Sequence, residues 1–127
     1  MKKLHLIFGL VLVFLFLLTG QYMEYVHNRL LPDGARLLYR SRHIYLLLNA
    51  LVNISLGLYV QYAASGWRRT FQIVGSVLII VAPVFLLTGF FYEPPRGVDH
   101  TSIAPYGIFA TAIGVLLHLI TYSRKGR

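Results

Sequence analysis

Four uninterrupted apolar runs, Leu4 to Met23, His43 to Ala63, Phe71 to Phe91 and Ile103 to Tyr122, contain no aspartate, glutamate, lysine or arginine. Each is long enough to cross a hydrocarbon layer roughly 30 Å thick, which takes about 20 helical residues. A backbone that crosses lipid finds no water to bond to, so it must be a helix or part of a closed barrel. The alternation of apolar and polar residues that marks a barrel strand is missing from all four runs. The chain therefore predicts an all-α fold, an integral membrane four-helix bundle. Composition agrees: 57% of residues are hydrophobic and 13% charged, more apolar surface than a soluble domain of this size buries.

Because there is no cysteine, disulfides, thiolate metal sites and iron–sulfur clusters are excluded. A net charge of +8 would suggest nucleic acid as the partner of a soluble protein, but here the basic residues crowd the ends of the runs, where they set orientation. No nucleic-acid partner is expected. With four spans both termini share a side, which carries seven basic residues: Lys2, Lys3, Arg68, Arg69, Arg124, Lys125 and Arg127. The opposite side carries five, Arg29, Arg36, Arg40, Arg42 and Arg96, together with all the acids, Glu24, Asp33, Glu93 and Asp99. The positive-inside rule then predicts cytoplasmic termini, and the Lys-Lys start with short loops fits a bacterial plasma (inner) membrane. Met1-Lys2-Lys3 before an apolar run also fits a signal peptide, but residues 18–22 lack the small-x-small spacing of a cleavage site, so the first span is predicted to be retained.

FLLTGQYME at residues 16–24 returns as FLLTGFFYE at 85–93, each time closing an apolar run. The chain thus reads as one transmembrane domain, 1–127, made of two tandem parallel hairpins, 1–69 and 70–127, with Gly57 and Gly114 as the clearest pair in their second halves. Pro32-Asp33-Gly34 marks a turn in the long outer connection, and Asp33 is expected to cap a helix leading into span two. On that helix Arg36 and Arg40, one turn apart, are expected to face lipid headgroups. Pro94-Pro95 and Gly97 should end span three, and Ser102 with Pro105 should start span four. Tyr22, Tyr25, Tyr39, Tyr45, Tyr62, Tyr92, Tyr106, Tyr122 and Trp67 fit interfacial aromatic belts.

Helices in lipid associate through close packing and polar contacts, so small and polar residues at helical spacing mark inward faces. Gly107, Thr111, Gly114 and His118 form such a stripe on span four, Gly75, Ala82 and Gly89 on span three with Pro83 as a kink, and Tyr45, Asn49 and Asn53 on span two. Two unpaired amides would each cost several kcal/mol in hydrocarbon. Asn49, Asn53, Thr111, Gly114 and His118 are therefore the expected packing and polar seam of the bundle.

Candidate chemistry collects on the outer half. Glu24 and Glu93 with His27 suggest a shallow divalent-metal or headgroup pocket. His43 with His100 is the best pair of axial haem ligands, with His5 and His118 as an inner alternative in which His118 lies about a turn deeper than His5. Proton-coupled transport lacks an intramembrane carboxylate, His118 being the only ionisable group well inside a span. No nucleophile grouping or paired carboxylate supports an enzyme. The function expected is thus a non-catalytic accessory subunit or assembly partner of a membrane complex. Its partners would be the bilayer and another membrane protein or a second copy, and the alternatives are a ligand-binding module or a small transporter.

Overall fold

In the computed structural model residues 1–27, 31–97 and 101–122 are described, and helices are the only regular secondary structure among them. The helices are α1 (Lys2–His27), α2 (Asp33–Tyr59), α3 (Trp67–Tyr92) and α4 (Ala104–Thr121), with a single 3-10 turn at Pro94–Arg96 after α3. The runs α1, α3 with its following turn, and α4 are long and apolar enough to cross a membrane. α2 is as long, but His43, Asn49 and Asn53 lower its mean hydropathy.

The boundaries depart from the sequence expectation in three places. Asp33 is the first helical residue of α2 and caps nothing; Pro32 occupies the cap position, and Asp33 lies in the first turn, 3.8 Å from Arg36. The preset φ of proline suits a helix entry without a side-chain cap. Arg36 also donates to the Leu31 carbonyl at 3.1 Å, so it braces the turn at least as much as it faces outward.

α2 stops at Tyr59, four residues before the apolar run ends, because the Gln72 side chain takes over the backbone beyond it. The Ala63 N–H donates to Gln72 Oε1 at 2.8 Å, and Gln72 Nε2 donates to the Gln61 carbonyl at 3.3 Å. A buried amide that bonds a loop's backbone removes the cost of leaving the helix. The turn then closes at Gly66, whose φ of 82° and ψ of −175° suit glycine alone.

Ser102 does not start α4. Its first turn is capped from α3: Glu93 Oε1 accepts the N–H groups of Ile103 at 2.5 Å and Ala104 at 2.7 Å. A carboxylate at a helix N-terminus satisfies orphan donors and meets the positive end of the helix dipole.

α1 lies against α2 and α4 against α3, and the two hairpins meet mainly through α2 and α3. Glycines set both hairpin contacts. A Cβ on Gly57 would stand 2.7 Å from the Leu6 amide nitrogen, and one on Gly114 2.6 Å from the Gly75 carbonyl oxygen, so backbone touches backbone. Near the outer end Leu46, Leu86 and Ala104 form a buried apolar cluster. Tyr39 and Tyr62 leave the expected aromatic belt: Tyr39 is buried against Tyr22 and Phe90, and Tyr62 turns inward to Ser76. Burial, followed by the hydrogen bond to Tyr22, pushes the Tyr39 hydroxyl up to about 12, so it stays neutral.

Candidate functional site

Pro83 creates the first need that the interior must meet. It has no N–H, so the carbonyl of Ile79, four residues earlier, loses its helical donor. Asn49 Nδ2 donates to that carbonyl at 3.3 Å and to Thr111 Oγ1 at 2.8 Å. Thr111 passes its own hydrogen to the Gly107 carbonyl at 2.9 Å. Asn53 Nδ2 donates to both oxygens of Asn49, at 3.0 Å and 2.8 Å, and Asn53 Oδ1 meets His5 Nδ1 at 2.7 Å. One hydrogen-bonded line therefore runs from α1 through α2 to α3 and α4. His5, Asn49 and Asn53 are fully buried.

A second cluster stands beside it. His118 Nε2 is 3.0 Å from Ser76 Oγ, which is 2.7 Å from the Tyr62 hydroxyl. The His5 and His118 rings meet edge to face with centroids 6.4 Å apart. The sequence placed His118 a turn deeper than His5, but α1 starts at Lys2 and α4 ends at Thr121, so each histidine sits three residues from its helix end. That brings the rings level.

At the outer end Arg42 Nε donates to Glu93 Oε2 at 2.7 Å, and Arg42 Nη2 reaches the same oxygen at 2.5 Å and Ser102 Oγ at 2.8 Å. Arg42 Nη1 donates to Ser41 Oγ at 2.9 Å. With the α4 cap on the other oxygen, both oxygens of Glu93 are engaged.

Of the residues picked out in the sequence, Asn49, Asn53, Thr111, Gly114 and His118 all lie in the interior. Glu93 is buried and paired, Glu24 is exposed, and the side chain of His27 lies outside the described residues. Among the described residues no group of three histidines or acids could hold a metal ion. His43 stacks on Phe16 at 4.0 Å and bonds Thr19 Oγ1 at 3.0 Å; Thr19 donates to the Phe16 carbonyl, so it accepts from His43 Nδ1. His100, its proposed haem partner, lies outside the described residues. The pairing of His5 with Asn53 and the roles of Ser76, Tyr62 and Gln72 were missed. Only Ser76, next to Gly75 on the inward stripe, had a signal in the sequence.

Comparison with protein families, with curated proteins and with solved structures finds no match. Function therefore rests on the geometry.

Replacing Asn49 with leucine leaves the Ile79 carbonyl without a donor and removes the side-chain acceptor of Asn53 Nδ2, which keeps the backbone carbonyl of residue 49. Interhelical hydrogen bonds in membranes are worth roughly 0.6 kcal/mol on average and about 1.7 at most. Asn49→Leu is expected to lose about 1–2 kcal/mol in reversible unfolding from mixed micelles.

Proposed function

We propose that the chain is an integral membrane four-helix bundle of two tandem parallel hairpins, and that it works as a non-catalytic partner subunit of a larger membrane assembly. The observation that carries this reading is the division of surfaces. Polar side chains of the interior bond one another, while the outer faces of all four helices are apolar, with Phe14, Ile44, Val84 and Phe109 each about 60% exposed. Averaged hydropathy understates α2, because its amides point inward and lipid would meet Ile44, Leu48, Leu51 and Leu58. The outer hydroxyls of Ser55 and Thr88 bond carbonyls of their own helices, at 2.8 Å and 2.7 Å, which suits hydrocarbon.

Support for the repeat comes from packing. The offset that relates Phe16 to Phe85 also relates Leu6 to Gly75, and these are the residues touched by Gly57 and Gly114. Cytoplasmic termini in a bacterial inner membrane remain the orientation favoured by the basic residues.

The docking face we assign is the groove between α2 and α4. About 440 Å³ of it is lined by Tyr45, Leu48, Val52, Thr111, Val115 and Leu116, and it continues past Val52 and Val115 towards His118. The occupant proposed is an apolar helix of another membrane protein. Photo-crosslinkers placed at Leu48 and Leu116 in native membranes should yield one discrete protein adduct, absent when the probe is at Phe14 or Val84. Adducts with lipid alone from all four positions would remove the subunit reading.

A further inference from the structure

Among the described residues, two buried side-chain nitrogen or oxygen atoms have no hydrogen-bond partner, His5 Nε2 and His118 Nδ1. Nearly every buried polar atom in a folded protein is paired, so an orphan calls for a cause, of which a bound ion is one. Here the two orphans belong to neighbouring rings, on residues 0% and 7% exposed.

The opposite nitrogens fix the state of these rings. Both hydrogens of the Asn53 amide go to Asn49, so Asn53 Oδ1 must accept, and His5 Nδ1 carries the ring hydrogen. In a neutral imidazole that leaves a bare lone pair on Nε2. The ring of His118 is oriented by Ser76, itself bonded to Tyr62, and its Nδ1 is the nitrogen left over, bare in the tautomer whose Nε2 donates to Ser76 Oγ. Each ring thus has one nitrogen bonded to an oxygen that orients it and one nitrogen unused. Metal-ligating histidines are built this way, the outer hydrogen bond setting tautomer and direction.

We propose that His5 and His118 together bind one copper(I) ion. Two imidazoles bound in line through facing nitrogens, at metal–nitrogen distances of about 1.9–2.1 Å, hold their ring centroids roughly 6.0–6.5 Å apart. The separation found is 6.4 Å. A tetrahedral angle would bring the centroids to roughly 5.2 Å. The spacing leaves room for linear, two-coordinate binding, which copper(I), with its filled d shell, accepts from two nitrogen donors. Imidazole suits copper.

Charge selects the same ion. Two neutral ligands leave the whole ionic charge uncompensated in the interior, and the Born cost of burial rises with the square of that charge. A divalent ion would pay four times as much and would look for further ligands, and among the described residues no third histidine or acid joins the pair. Haem is disfavoured by packing: a Cβ on Gly75 would already stand 3.3 Å from His118 Cδ2 and 2.8 Å from the Gly114 carbonyl oxygen.

The test is anaerobic titration of the purified full-length protein with copper(I) against a chromophoric chelator, followed by X-ray absorption on the loaded wild type. We expect one equivalent bound, with a first shell of two nitrogens. Affinity should fall at least tenfold in His5→Phe and in His118→Gln and be unchanged in His43→Ala. A wild type that retains no more copper(I) than the double variant overturns the proposal. So does a first shell of three or more light atoms, tighter binding of zinc(II), or a Soret band in the purified protein. The absorption shell is read on the wild type, so the proposal stays exposed to failure even if a variant does not fold.

Discussion

Replacing Arg42 with alanine is expected to remove about 3–5 kcal/mol of stability. Arg42 and Glu93 have side chains only 12% and 8% exposed, so water does little to screen either charge once its partner is gone. The guanidinium meets Glu93 Oε2 through two nitrogens, the forked geometry in which such pairs are strongest. It also reaches Ser102, just ahead of α4, so one side chain on α2 ties the end of α3 to the start of α4. Without it the carboxylate keeps the Ile103 and Ala104 N–H groups, the Ser102 hydroxyl and the favourable end of the α4 dipole. Glu93→Ala should cost at least as much, because it strands a buried cation and uncaps α4. Replacing both residues, Arg42→Met with Glu93→Gln, should cost clearly less than the two single losses added together, since neither charge is left alone. Equilibrium unfolding in mixed micelles, analysed as a double-mutant cycle, measures this. A loss below about 1 kcal/mol for Arg42→Ala would mean that the pair behaves as a solvent-screened surface contact.

This keystone was only half legible in the sequence. Glu93 stood out because the repeated phrase ends on a glutamate in both copies, and Arg40, Arg42 and Arg96 fall on the same side of the bundle. Which arginine does so depends on how α2 rotates against α3, and helical spacing within one element does not carry that information. The same limit hid the cap of α4: its acceptor lies ten residues upstream, across a turn, whereas capping signals are read within the helix's own first turn. The amide stripe of α2 was legible because apolar surroundings leave a buried asparagine few options, whereas Pro83 was legible only as a kink and not as the source of a carbonyl in need of a donor. That the two needs meet, Asn49 serving Ile79, belongs to the packing of two helices. The level of His118 against His5 was misjudged for a related reason. Apolarity bounds a run but not where its helix starts, and α1 begins at Lys2 even though the lysines are charged.

Gly114 is where sequence pattern and packing converge, and Gly114→Val is expected to cost about 2–3 kcal/mol. Its Cβ would fall 2.5 Å from Ile79 Cγ1 and 2.6 Å from the Gly75 carbonyl oxygen. Ile79 can change rotamer, but a helical carbonyl cannot move without its helix. α3 and α4 must therefore part, and the separation carries His118 away from Ser76 and loosens Thr111 from Asn49. Alanine makes the same first contact, offset by its better helix propensity of about 1 kcal/mol over glycine. Gly114→Ala should thus remain destabilising, by about 1–2 kcal/mol. Gly20 provides the contrast. It closes the first Thr-Gly of the repeated phrase, yet a Cβ there would meet only the edge of the His43 ring at 3.4 Å, an ordinary contact. Gly20→Ala should be neutral or slightly stabilising. The three variants, compared with wild type for midpoint of thermal unfolding in detergent, separate a glycine needed for helix contact from one that merely recurs. If Gly114→Val unfolds at the wild-type midpoint, α3 and α4 do not approach backbone to backbone, and the interior described here, including the level meeting of His5 and His118, would have to be redrawn.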